Sequence, residues 1–127
     1  MSSVGYHEPI DELSDATRDM HRAIVSLMEE LEAIDWYNQR ADACKDAELK
    51  AILEHNRDEE TEHAAMSLEW MRRQDPVLDE HLRTYLFTSG SIVAVEQEAE
   101  GGGGGGGGAG DGSLGIGSLR AAMDATR

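Results

Sequence analysis

Apolar residues recur in alternating steps of three and four along the first part of the chain. The row runs from Ile10 to Ile34, and this spacing places its members on one face of an α-helix. Pro9 suits the first turn of such a helix, because its missing N–H would have no partner there. The pattern therefore predicts a first helix over residues 8–40.

A second apolar row with the same spacing follows a short break at residues 41–46. It runs from Leu49 to Trp70, and Asp46 is a residue type that caps helix N-termini. The residue before a proline disfavours the helical conformation, so this second helix should end just before Pro76. Because the link between the two helices is short, we expect them to pair as an antiparallel hairpin.

A shorter third helix is predicted over residues 77–87, and no segment alternates as a strand would. The predicted fold class is therefore all-α, with a two-helix hairpin and a short third helix. A helical domain this small buries little apolar surface by itself. We therefore expect the chain to form a homo-oligomer in which a second hairpin covers the exposed apolar face.

Composition narrows the possible partners and the compartment. The formal net charge is -15, which disfavours nucleic acid and anionic membranes and attracts cations. Cys44 is the one cysteine, so an intramolecular disulfide and a cysteine-rich metal site are excluded. No signal peptide or long apolar segment is apparent. The sequence thus predicts a soluble, cytoplasmic protein with neither nucleic acid nor a membrane as partner.

Glycine divides the rest of the chain. Residues 101–112 are almost all glycine and predict a flexible linker between a helical domain, residues 1–100, and a tail, residues 113–127. Within the tail, large aliphatic residues alternate with glycine, as in a peptide that docks into a groove of a partner protein. That predicted docking peptide consists of Leu114, Gly115, Ile116, Gly117, Ser118 and Leu119.

Two potential metal ligands, Glu60 and His63, lie within the apolar row of the second helix. A separation of three residues places both on one helix face, and a divalent cation would neutralise a carboxylate at such a position. Glu30 of the first helix is expected to lie near the level of Glu60 in the hairpin. These three residues are half of the ligand set of a di-iron or di-manganese helical bundle, so two chains would be needed for a whole site.

Oxygen and nitrogen ligands together favour iron or manganese over a structural zinc. Trp36 and Tyr37 follow the acidic run of the first helix and are interpreted as core or interface residues, or as hydrogen-bond partners of the ligands. Further acidic and histidine side chains form either a solvated face or a weaker, secondary metal site. They are Glu29, Glu32, His55, Glu59 and Glu62.

Four segments resemble the encapsulated ferritin-like proteins, and the resemblance covers nearly the whole chain outside the glycine linker. The segments are residues 28–37, 55–66, 81–88 and 114–120. The chain departs from the family pattern at Thr61, where a lysine is expected, and at Ser67 and Ser89.

The resemblance implies a ferritin-like four-helix bundle across a dimer interface and a decameric ring of five dimers. It implies that Glu30, Glu60 and His63 are both the catalytic residues and the iron ligands of a di-iron centre. Trp36 and Tyr37 would surround these ligands without binding the metal. It also implies a metal-uptake site at Glu29 and Glu32, and a secondary site at His55, Glu59 and Glu62. Calcium or zinc are the expected ions at such secondary sites.

The function implied by the resemblance is that of a ferroxidase, which oxidises Fe(II) to Fe(III). The tail would be a targeting peptide that binds an encapsulin shell protein, and iron mineral would collect inside that shell in the bacterial cytoplasm. Two other interpretations remain open. One is a rubrerythrin-like di-iron peroxidase, against which the absence of a cysteine-rich electron-transfer module counts, and the other is a non-catalytic helical adaptor.

Overall fold

The computed structural model describes residues 5–104, and the secondary structure in that range is entirely helical. The all-α prediction is therefore confirmed. The elements are a 3-10 turn at Ile10–Glu12, α1 at Asp15–Ala43, α2 at Ala47–Gln74, α3 at Pro76–Tyr85 and α4 at Ile92–Gly104. The chain divides at Asp75 into two compact units, α1 with α2 and α3 with α4. None of the helices between residues 5 and 104 is both long and apolar enough to span a bilayer.

The first helix begins later than its apolar spacing predicts. Leu13 is extended, with φ −93° and ψ 139°, and the side chain of Ser14 accepts a hydrogen bond from the Thr17 N–H at 3.1 Å. This bond satisfies one of the free N–H groups at a helix start and fixes the boundary at Asp15. Apolar spacing continues through a 3-10 turn as readily as through a helix, which is why it gave the wrong start.

The second helix begins where the sequence predicts. Asp46 Oδ2 accepts a hydrogen bond from the Leu49 N–H at 2.8 Å, and the helix ends at Gln74, ahead of Pro76. The helix pairs with α1 as the predicted hairpin. Asn38 of α1 and Arg57 of α2 are joined by a hydrogen bond across it.

The hairpin has almost no interior of its own. Ala41 and Ala64 are the buried hydrophobic residues among those described, and their small side chains suit a close approach of two helices. Larger apolar side chains of α1 and α2 remain substantially in water. They are Ile24, Leu31, Trp36, Leu49, Ile52, Met66 and Trp70. Surface of this kind and extent is typical of a face that another protein surface covers.

The second unit contains one predicted helix and one that the sequence analysis missed. The prediction of α3 over residues 77–87 is close to its observed range. After α3 the backbone of Phe87 adopts a positive φ of 63°, and α4 then begins with Ser91 Oγ accepting a hydrogen bond from the Ala94 N–H at 3.2 Å. A serine directly before an aliphatic run is the signal that could have predicted α4.

The glycine segment overlaps the last helix at its start. Helix α4 continues through Gly104, into the range of the linker predicted over residues 101–112, and the flexibility of that linker stays a prediction. The rest of that linker and the predicted docking peptide, residues 114–119, lie outside the described residues.

A candidate metal site on the hairpin

Glu60 and His63 lie one turn apart on α2, on a common face. His63 Nδ1 is 3.8 Å from Glu60 Oε2, which is too far for a hydrogen bond. The side chain of His63 is 48% exposed and that of Glu60 is 29% exposed. A potential oxygen ligand and a potential nitrogen ligand are thus close together and accessible at the surface of one helix.

Glu30 lies farther along the hairpin than the sequence predicts. The hydroxyl of Ser67 donates a hydrogen bond to Glu30 Oε2 at 3.0 Å, which places the Glu30 carboxylate beside Ser67. Ser67 follows Glu60 by about two helical turns, and follows His63 by about one. The expectation that Glu30 is level with Glu60 is therefore corrected: within one chain, its carboxylate lies beyond His63.

The register of the hairpin explains this displacement. Asn38 pairs with Arg57 and Glu30 pairs with Ser67. Because the helices are antiparallel, residues later in α1 face residues earlier in α2. The same register places Trp36, and not Glu30, at about the level of Glu60. A sequence defines which residues share a helix face, but small differences in link geometry shift one helix along the other.

His63 shares an exposed row of α2 with three large apolar residues and with the acidic Glu59. Around the axis of α2, the directions of Ile52, His63 and Trp70 differ by about 20° or less. Met66 lies beside them. Met66 is 62% exposed and Trp70 is 38% exposed. A surface that covered this row would also cover His63.

The other residues of the predicted site are distributed around the hairpin. Trp36 is about half exposed, while Tyr37 is half-buried with the Arg40 guanidinium 5.3 Å from its ring centre. This is the geometry of a cation–π contact.

The additional carboxylates predicted for secondary metal sites lie on exposed faces. His55 Nε2 is 3.4 Å from Glu59 Oε1 on α2, and both side chains are largely in water. Glu29 and Glu32 of α1 and Glu62 of α2 are also exposed. These side chains are accessible to cations, and their assignment to particular sites stays a prediction.

One acidic side chain near the site has a separate, structural role. Glu69 accepts hydrogen bonds from Arg72 and Arg73, and these bonds lower its pKa to about 2. Both arginines are at the C-terminal end of α2, where positive charge is favourable. Because guanidinium groups engage both oxygens, Glu69 is a poor candidate ligand although it lies close to Ser67.

Within residues 5–104 of a single chain, no group of three or more histidine, cysteine, aspartate or glutamate side chains converges as a metal site would require. Glu60 and His63 supply a pair of ligands and Glu30 lies separately. A complete centre built on these residues would therefore need ligands from outside the described part of the chain. Ser67, which the sequence analysis did not connect with the site, is a polar side chain that contacts one of its members.

Comparisons with known proteins agree with this architecture. A curated relative from Rhodospirillum rubrum, named encapsulated ferritin-like protein, is 61% identical over 94% of this chain and 90% of its own. A protein of Myxococcus xanthus, named encapsulin nanocompartment cargo protein EncC, is 42% identical over 49% of this chain and 52% of its own.

The fold also matches a crystal structure. A protein from Nitrosomonas europaea superposes with a TM-score of 0.67 at 72% sequence identity, over 69% of this chain and 97% of that one. The EncFtn-like family model matches residues 5–89, a range that includes both helices of the hairpin and every candidate ligand. By these matches, the chain belongs to the EncFtn-like family of encapsulated ferritin-like proteins.

Proposed function

We propose that this protein is a ferroxidase whose site forms between two subunits, and that it is a cargo of an encapsulin shell. The observation that carries the proposal is the pairing of Glu60 and His63 at 3.8 Å on an accessible helix face. A carboxylate and an imidazole at this separation suit Fe(II), and the chain offers Glu30 as a further carboxylate.

Exposed apolar surface supports assembly as the way the site is completed. His63 lies in the same row as Ile52, Met66 and Trp70, all of which are exposed in the isolated chain. A two-fold contact along this row would bring the same residues of a second copy opposite them. Each copy would then contribute two carboxylates and one imidazole to a shared site for two iron ions, and dimers of this kind are the units of the proposed decameric ring.

Iron is the substrate in this proposal. Each Fe(II) gives one electron to the oxidant, O2 or peroxide, and carboxylate ligands favour the higher charge of the Fe(III) that is left. Glu60 and His63 hold the ion at the subunit surface, while Glu30, beside Ser67, offers a further carboxylate to the shared site. The net charge of -15 attracts cations toward the whole molecule.

The cargo role rests on the names of two relatives and on the tail. The Rhodospirillum rubrum relative is named as encapsulated, and the Myxococcus xanthus relative is named as an encapsulin nanocompartment cargo protein. Residues 114–119 supply the short apolar peptide that would bind the inner wall of such a shell. Deletion of residues 113–127 should abolish co-purification with a co-expressed shell protein, and a truncated chain that is still encapsulated would contradict the cargo role.

The ferroxidase role is tested with one ligand variant and one matched control. Glu30→Ala should slow Fe(II) oxidation by at least about tenfold, measured by the absorbance of Fe(III) after aerobic mixing. Asp42→Ala also removes one carboxylate from α1, at an exposed position near its end, and should leave the rate unchanged. Equal rates in Glu30→Ala and the wild type would reject Glu30 as a ligand.

Native mass spectrometry tests assembly and metal content together. The wild-type protein should form oligomers built from dimers and should gain two iron ions per dimer when Fe(II) is added without oxygen. Identical oligomers that bind no iron would instead support the non-catalytic adaptor. Faster turnover with peroxide and a reductant than with O2 and Fe(II) would support the peroxidase.

A further inference from the structure

Ser67 connects the two helices that carry the candidate ligands. Its hydroxyl donates to Glu30 Oε2 at 3.0 Å, and both side chains are half-buried. Since Ser67 is on α2 and Glu30 is on α1, the bond joins a side chain of one ligand-bearing helix to a carboxylate of the other. Glu69, the nearest acidic neighbour of Ser67 in sequence, is engaged by arginine and does not compete for this hydroxyl.

A glutamate side chain has three rotatable torsions and loses considerable freedom when it is fixed in one arrangement. A carboxylate offers about four lone-pair positions on its two oxygens. The Ser67 hydroxyl takes one position on Oε2, which leaves Oε1 and a second position on Oε2 for a cation. The bond therefore restricts where the carboxylate points without blocking it.

We propose that Ser67 is a positioning residue that holds the Glu30 carboxylate in place for Fe(II). This inference rests on the proposed ferroxidase function, because it assigns a purpose to Glu30 as a ligand. In known metal sites, residues that do not touch the metal form hydrogen bonds to its ligands and set their orientation. Loss of such a bond typically weakens metal binding by about 10–100-fold. Ser67 has this relation to Glu30, since its hydroxyl donates to the carboxylate of the candidate ligand.

A merely structural role is the alternative, and it makes a different prediction. If the bond served only to join α1 to α2, its loss would destabilise the hairpin and leave metal affinity in the folded protein unchanged. Ser67→Ala separates the two roles, since alanine is the most favourable residue in a helix and the folded hairpin should persist. Thr61→Ala is the matched control, because the Thr61 hydroxyl donates to the Arg57 carbonyl of its own helix and not to Glu30.

The experiment is an anaerobic calorimetric titration of the full chain with Co(II) as a redox-inert probe, followed by Fe(II) oxidation rates over a range of Fe(II) concentrations. Ser67→Ala should weaken Co(II) binding by about tenfold and raise the half-saturating Fe(II) concentration more than it lowers the maximal rate. Ser67→Thr, which keeps a hydroxyl, should restore most of the affinity, and Thr61→Ala should match the wild type.

Two results would overturn the role of Ser67 alone: wild-type affinity in Ser67→Ala, or equal weakening in Ser67→Ala and Thr61→Ala. A wild-type protein that binds neither Co(II) nor Fe(II) would refute the proposed function, and the role of Ser67 with it. The wild-type titration therefore distinguishes the two failures.

Discussion

Arg57 and Asn38 face each other across the hairpin: the guanidinium Nη1 of Arg57 donates to the side-chain oxygen of Asn38 at 3.1 Å. The same guanidinium group contacts Asp58 through Nε, which holds it near the seam between α1 and α2. This contact and the Ser67–Glu30 bond show which residues of α1 and α2 face each other.

Removal of the Asn38 side-chain acceptor should weaken the hairpin. Asn38→Ala leaves the guanidinium of Arg57 with one acceptor fewer, and because the bond is exposed to water its loss should cost at most about 1 kcal/mol. Thermal unfolding followed by circular dichroism measures the effect. Gln39→Ala, on the exposed side of α1, is the control, and an equal loss in both variants would show that the Asn38–Arg57 bond contributes nothing specific.

A charge in place of one of the exposed apolar residues of α2 should prevent assembly. Met66→Glu places a carboxylate where an apolar contact is proposed, and an unpaired buried charge costs several kcal/mol. Native mass spectrometry or sedimentation should then detect smaller species at concentrations where the wild type is oligomeric.

The control for this prediction adds the same charge elsewhere on the same helix. Thr61→Glu lies on the opposite side of α2 from Met66 and Trp70 and is already exposed. It should keep the oligomer. An unchanged oligomer in Met66→Glu would mean that the row is not an interface.

The carboxylate of Glu69 should contribute to stability at neutral pH and lose that contribution in acid. Hydrogen bonds from Arg72 and then from Arg73 lower its pKa from 4.5 to about 2, so the folded state favours the charged form. The contribution is present above pH 4.5 and is lost as the pH falls from 4.5 through about 2. Because the side chain is 41% exposed, we expect a contribution of at most about 1 kcal/mol.

Comparison with a variant isolates this carboxylate from the many others in the chain. Glu69→Gln should unfold at a lower temperature than the wild type at pH 6, and the difference between the two should shrink as the pH approaches 2. A difference that does not depend on pH would show that packing of the side chain, and not its charge, accounts for the effect.

The backbone of Phe87 predicts an unusual order of stability among variants. Its φ of 63° is unfavourable for a residue with a Cβ atom and costs about 1–2 kcal/mol. The residue is 67% exposed, so its side chain buries little apolar surface. Phe87→Gly should therefore be more stable than Phe87→Ala, although glycine has the greater freedom to lose on folding. Hydrogen exchange of the amides between α3 and α4 measures the difference locally, and the reverse order would indicate that the turn is not strained.

Local interactions explain which parts of the fold were predictable. Asp46 supplies a cap that bonds to a residue close to it in sequence, so the start of α2 could be deduced from residue types alone. The equivalent cap at Ser14 was overlooked because the apolar spacing continues before it, and Ser91 was overlooked because the following helix is short and rich in glycine at its end. In both cases a serine next to an apolar run was the informative signal.

The sequence by itself determined that the chain is helical, that two long helices form a hairpin, and that Glu60 and His63 share a helix face. These properties depend on the helical repeat and on contacts over one or two turns. Only the tertiary structure decided that Glu30 lies beside Ser67, and that Met66 and Trp70 remain in water beside His63. These outcomes depend on how far one helix is displaced along the other and on how little surface two helices can bury, and neither quantity is encoded in the spacing of residues along one helix.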